Sequence, residues 1–109
     1  MNHSYKRDVV FKNDNVEVVE IEWRPGEASP VHLHGPCSGM VRVLEGSVYE
    51  VPYTKQRSSF IAGEKKYHHA GACFAEEALG AHMVGNDGDV VARTIHIYLP
   101  KACNEEVEL

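Results

Sequence analysis

Apolar residues in this chain recur at every second position, in short runs broken by glycine and proline, and no stretch sustains a helical period. Alternation of period two belongs to strands with one buried face. The clearest case is Val16 to Trp23, where Val19, Ile21 and Trp23 share one face and Glu20 and Glu22 the other, before Arg24-Pro25-Gly26-Glu27 turns the chain. Met40 to Leu44, the turn Glu45-Gly46 and the alternating Ser47 to Val51 predict a hairpin that Pro52 closes. Tyr53 to Lys66 is polar and aperiodic, a loop or irregular hairpin with Phe60 and Ile61 as its buried residues. Gly71 to Phe74 predicts a short strand, Glu76 to Gly80 a turn, and Val90 to Leu99 a long strand rich in β-branched residues. Many short strands in 109 residues predict an all-β protein, one small antiparallel barrel or sandwich spanning residues 1–109 as a single domain.

Charge narrows the function classes. Eleven Lys+Arg against sixteen Asp+Glu give a net charge of −5, with no basic stripe for a phosphate backbone and no polybasic patch for anionic lipid. Nucleic acid and membrane are therefore not expected partners. No apolar run is long enough for a secretory leader or a membrane span, so a cytoplasmic location is expected. Cys37, Cys73 and Cys103 are an odd number without metal spacing, which suits a reducing compartment.

Seven histidines are the compositional anomaly. In His32-Leu33-His34 two imidazoles stand two residues apart, so an extended chain points both the same way as a chelating pair. Alone, such a pair is as readily two solvated side chains. Its setting is more specific. Gly26, five residues, His32-x-His34, then Gly46 twelve residues on resembles the first motif of the cupin family, and Gly71, ten residues, His82, three residues, Asn86 resembles the second. The resemblance implies a cupin barrel, that is a double-stranded β-helix or jelly roll, with His32, His34 and His82 converging on one metal. The first motif ordinarily carries a ligating Glu four or five residues after its second His, and here Ser38 and Gly39 stand there. The expected site is three neutral imidazoles without a carboxylate, so that iron(II) keeps its full charge and favours anionic chelating substrates such as a thiolate.

A three-histidine cupin is similar to the thiol dioxygenases, and the similarity extends beyond the metal motifs. Thr94-x-His96-x-Tyr98 resembles the Ser-His-Tyr relay of cysteine dioxygenases, with Thr in place of Ser, and Tyr5-x-Arg7, sixteen residues before Trp23, resembles the pair that holds their substrate. On this resemblance Tyr98, His96 and Thr94 are catalytic, Arg7 takes the substrate carboxylate beside Tyr5, and Fe(II) is the cofactor. A polar face of the last strand turned to water, and a solvated Arg7, are the plainer readings of the same residues. Gly39 stands where animal members have the cysteine that cross-links to the active-site tyrosine, so that cross-link is not expected. Cys37 reads as an ordinary buried thiol, His68 and His69 as loop histidines, and His3 carries no signal.

The function implied is oxidation of L-cysteine, or a similar small thiol, to its sulfinate with dioxygen. Two other readings fit the histidines: a non-oxygenase cupin holding zinc or nickel, and a three-histidine dioxygenase acting on a non-thiol substrate. Pairing into a homodimer through the sheets is open.

Overall fold

The structure is a computed structural model, and it describes residues 5–33, 38–76, 80–99 and 105–106. Among the described residues, eleven strands form two antiparallel sheets. They are β1 (Lys6–Lys12), β2 (Glu17–Trp23), β3 (His32–Leu33), β4 (Ser38–Glu45), β5 (Ser47–Gln56), β6 (Ser59–Ala62), β7 (Lys66–His69), β8 (Cys73–Glu76), β9 (Ala81–Gly85), β10 (Ala92–Leu99) and β11 (Glu105–Glu106). The first sheet runs β1-β2-β10-β4-β8 and the second β11-β3-β9-β5-β6, with β7 also paired to β5. Among the described residues there is no helix, and so none long and apolar enough to cross a membrane.

β2 and its alternation are as expected: Val19, Ile21 and Trp23 are buried and their neighbours half-buried. They pack with Val41, Val43, Val48, Phe74, Val84, Ala92 and Tyr98 in the larger core. A smaller cluster of Ala28, Val31, Ala81 and Met83 lies against the second sheet. The β4–β5 turn depends on Gly46, which sits at φ +70°; a Cβ there would lie 2.8 Å from the Val91 carbonyl oxygen.

Three local expectations need correction. Pro52 does not close its strand, because β5 continues to Gln56; Pro52 contributes its carbonyl, accepting from Gly63 N–H at 2.7 Å, and needs no N–H of its own there. The polar segment after it takes the hairpin alternative, as β5–β6, with Phe60 half-buried, but Ile61 is 47 % exposed rather than buried. His68 and His69 lie on a strand rather than a loop, since β7 pairs with β5 through Val48↔His68 and Ser47↔His69.

Strand β10 inverts the usual order of a half-buried strand. Thr94, His96 and Tyr98 are buried while Ile97 and Leu99 face outward. Pairing continues the outward row across the sheet, Phe11↔Val18, Val18↔Ile97, Ile97↔Met40 and Met40↔Ala75, so apolar residues of five strands stand side by side on the exterior.

Candidate metal centre

His32 on β3 and His82 on β9 are paired across the ladder, and their rings meet edge to face with centroids 4.7 Å apart. Each is oriented from behind. His32 Nδ1–H donates to the Pro30 carbonyl at 2.9 Å, and His82 Nδ1–H donates to Glu50 Oε2 at 2.9 Å. These tautomers put the lone pair of both rings on Nε2, and the two Nε2 atoms face one another at 3.1 Å. Two acceptors aimed at one point suit a shared cation, because ligand atoms 2.0–2.2 Å from one ion stand roughly 3–3.5 Å apart. The residues present therefore fit a metal. His34, the third expected ligand, lies outside the described residues, as does Cys37.

A carboxylate also reaches this point, which the all-imidazole expectation did not include. Glu76, at the end of β8, is 2 % exposed and sets Oε1 3.5 Å from His82 Nε2. Donor atoms of His32, Glu76 and His82 all lie within 4.8 Å of one another. The first motif does lack its Glu; the carboxylate arrives from a different strand.

Behind His82 stands a group the sequence did not expose. Glu50 is forked, with Oε2 on His82 and Oε1 3.2 Å from His68 Nε2, while the His68 ring stacks on Phe74 with centroids 4.0 Å apart. Burial pushes the Glu50 carboxyl up, but the hydrogen bonds and charges of His82 and His68 outweigh it and hold the group below its ordinary value.

The polar face of β10 forms the opposite wall. Trp23 Nε1–H donates to Thr94 Oγ1 at 2.9 Å, Thr94 Oγ1 meets His96 Nε2 at 2.7 Å, and His96 Nδ1 lies 3.3 Å from the Tyr98 hydroxyl and 3.4 Å from Glu76 Oε1. The three residues turn inward because alternation places them on the face of Ala92, itself fully buried. Trp23 was expected only as core, yet it begins this chain of hydrogen bonds.

Tyr5 and Arg7 close the other end. Tyr5 stacks on Trp23 with centroids 4.6 Å apart, and Arg7 on β1 places its guanidinium 3.7 Å from Glu17 Oε2. Tyr5, Arg7, His32, Glu76, His96 and Tyr98 line a single cavity of about 30 Å³, with room for roughly one or two waters. A larger cleft of about 340 Å³ reaches Glu76 and His82 past Glu50, Tyr53 and Lys66. Asn86 of the second motif faces away from the cavity, its amide donating to the Trp23 and Val90 carbonyls at 2.9 and 2.8 Å, which ties β2 to the segment before β10.

Comparison with known proteins identifies the family and the fold. The family model described as Cysteine dioxygenase type I matches residues 2–105. Solved structures share the fold. A Thermus thermophilus protein, TT1209, superposes with a TM-score of 0.76 at 21 % identity, over 89 % of this chain and 84 % of that one. An uncharacterized conserved protein with a double-stranded beta-helix domain from Klebsiella pneumoniae gives 0.74 at 20 % identity, over 100 % and 89 %. The cupin domain of Cnp3 from Schizosaccharomyces pombe gives 0.75 at 13 % identity, over 92 % and 63 %. The architecture is thus the cupin double-stranded β-helix.

Proposed function

Because this chain belongs to the cysteine dioxygenase type I family, we propose that it is a metal-dependent thiol dioxygenase acting on L-cysteine or a similar small thiol, as one cupin domain over residues 1–109. The observation that carries this reading is the convergence of His32 and His82 Nε2 at 3.1 Å in a cavity that Arg7, His96 and Tyr98 also line.

His32, His34 and His82 would hold iron(II), which would supply the redox chemistry and lower the thiol pKa. Glu50 fixes the His82 tautomer and its ring orientation, as the Pro30 carbonyl does for His32. Arg7 takes the substrate carboxylate in a charge-assisted pair, sharing its guanidinium with Glu17, and so converts binding into orientation. Trp23 N–H occupies one lone pair of Thr94, whose own hydrogen then goes to His96 Nε2; His96 Nδ1–H in turn faces Tyr98. That order of donors lets the Tyr98 hydroxyl donate into the cavity, toward the substrate carboxylate or oxygen. Overall, one thiol and one dioxygen give one sulfinic acid: two S–O bonds form, the O–O bond breaks and sulfur gives up four electrons.

The test is oxygen uptake by the iron(II)-loaded protein with L-cysteine, 3-mercaptopropionate and cysteamine supplied separately, the sulfinate being identified by mass. Uptake with cysteine supports the reading, and uptake with mercaptopropionate alone keeps the thiol class while removing any role for the amine. A protein holding one iron per chain that consumes no oxygen with any thiol is not a thiol dioxygenase, which leaves the non-oxygenase cupin and the dioxygenase of a non-thiol substrate. Cytoplasmic location belongs to this proposal, which fits a free amino-thiol substrate.

A further inference from the structure

The carboxylate missing from the first motif has a counterpart on the neighbouring strand. Gly39 on β4 is paired with Glu76 on β8, so the two positions share one rung of the ladder at the cavity wall. A Cβ at Gly39 would lie 2.9 Å from the Ile97 carbonyl oxygen, 3.0 Å from the Tyr98 ring and 3.4 Å from Glu76 Oε2. No ligating side chain can be built at position 39 without displacing backbone, and the glycine leaves its space to the Glu76 carboxylate. We propose that Glu76 supplies an oxygen ligand to the ion held by His32 and His82, entering from β8 beside Gly39.

Three observations bear on it. The Glu76 Oε1 to His82 Nε2 separation of 3.5 Å and the His32 to His82 Nε2 separation of 3.1 Å are those of neighbouring ligands on one ion. Glu76 is 2 % exposed, and a carboxylate taken that far from water needs compensating positive charge. A divalent ion at the imidazoles would supply such charge where Oε1 stands, among donor atoms that all lie within 4.8 Å of one another. With Glu76 bound, a divalent ion carries a net charge of +1 rather than +2. The same Oε1 lies 3.4 Å from His96 Nδ1, so the ligand is also coupled to the Thr94–His96–Tyr98 chain.

This inference rests on the proposed metal centre, and its test does not need turnover. Co(II) is titrated anaerobically into wild type, Glu76→Gln and Glu76→Asp, with visible absorption of the bound ion and thermal unfolding of the metal-free proteins as readouts. Glu76→Gln is expected to weaken Co(II) at least about 100-fold, since residues that merely orient a ligand already cost 10–100-fold. It should also shift the visible bands, while the metal-free protein keeps a cooperative unfolding transition that shows it is folded. Glu76→Asp keeps the charge and should retain part of the affinity. Co(II) affinity within about threefold of wild type with unchanged bands overturns the proposal, as does a metal-free Glu76→Gln protein that loses stability while binding Co(II) normally. Should Glu76→Gln not fold, the bands of Glu76→Asp decide: a shift supports ligation and identity with wild type refutes it. If wild type shows these metal effects but no thiol-dependent oxygen uptake, the functional reading fails and Glu76 remains a ligand; normal uptake with metal binding indifferent to Glu76 is the converse.

Discussion

Glu50 offers the sharpest separation of a metal centre from an incidental cluster of histidines. Its two oxygens serve different rings, Oε2 accepting from His82 Nδ1–H at 2.9 Å and Oε1 facing His68 Nε2 at 3.2 Å, and its side chain is 15 % exposed. In Glu50→Ala the His82 Nδ1–H loses its acceptor, and the ring is free to flip or change tautomer. Loss of such a partner lowers metal affinity about 10–100-fold, or about 1.4–2.7 kcal/mol. In Glu50→Gln the remaining oxygen can still accept from His82 while the amide NH₂ donates to His68 in its Nδ1–H tautomer. Geometry is then kept and only charge is lost, so the decrease should stay near tenfold or below. The assay is competition for Co(II) against a chromophoric chelator, with the metal-free thermal midpoint confirming that each variant is folded. The expected order of affinity is wild type, Glu50→Gln, Glu50→Ala. A folded Glu50→Ala protein that binds Co(II) within about threefold of wild type would falsify the claim that His82 is presented by Glu50.

Other perturbations probe the packing, the relay, the surface and the substrate end. Gly85→Ala should destabilise by about 1–3 kcal/mol, because its Cβ would lie 2.8 Å from Ala28 Cβ and 2.6 Å from the Tyr49 hydroxyl in a strand with no room to yield; an unchanged unfolding midpoint would show that the strands can part. Trp23→Phe removes the donor to Thr94 and should cost about 1–2 kcal/mol while lowering turnover more than Co(II) affinity; equal loss of both would place Trp23 in the core only. The Tyr67 hydroxyl, donating at 2.7 Å, and then Lys65 at 3.1 Å hold the Asp87 carboxyl below its ordinary 3.8. Its stabilisation is therefore present above pH 3.8 and lost as pH falls below it, and Asp87→Asn should flatten that part of the stability–pH curve by about 0.5 kcal/mol, small because the pair is solvated. Arg7→Ala should raise KM for L-cysteine and 3-mercaptopropionate about 10–100-fold and leave cysteamine, which has no carboxylate, unaffected; equal effects on all three thiols would remove Arg7 from carboxylate recognition.

The sequence showed part of the candidate metal centre plainly and hid the rest for a definable reason. His32 and His82 were legible because their spacings from glycine turns match two motifs, and Thr94, His96 and Tyr98 because Thr-x-His-x-Tyr resembles a family relay; alternation alone put them on one face without saying whether that face looks inward. Glu50 and Glu76 were passed over as a strand's polar position and a turn residue. Yet each stands two places from a buried apolar residue, Glu50 from Val48 and Glu76 from Phe74, and period two puts them on the same inward face. Glu17 stands in the same relation to Val19 and is buried too. Acidic residues on the apolar parity of a strand were the available signal. His68 could not be found that way, because its place depends on β7 pairing with β5 over a separation of about twenty residues, which no local pattern encodes. Strand β1 was hidden similarly: all its residues are exposed, so it carries no alternation, and only its pairing with β2 defines it.

A pleated strand has two faces and no third place to put a side chain. By turning Thr94, His96 and Tyr98 toward the cavity, β10 leaves Ile97 and Leu99 to the solvent, where Ile97 joins Phe11, Val18, Met40 and Ala75 in an unbroken row. Chemistry inside is thus matched by stickiness outside, with Phe11 at 53 %, Met40 at 47 % and Ile97 at 41 % exposure. Colloidal behaviour therefore becomes a separately adjustable property of this barrel: threonine or lysine at Met40 and Ile97 acts on the row that meets water, while the opposite pleat keeps its histidines, its tyrosine and its cavity.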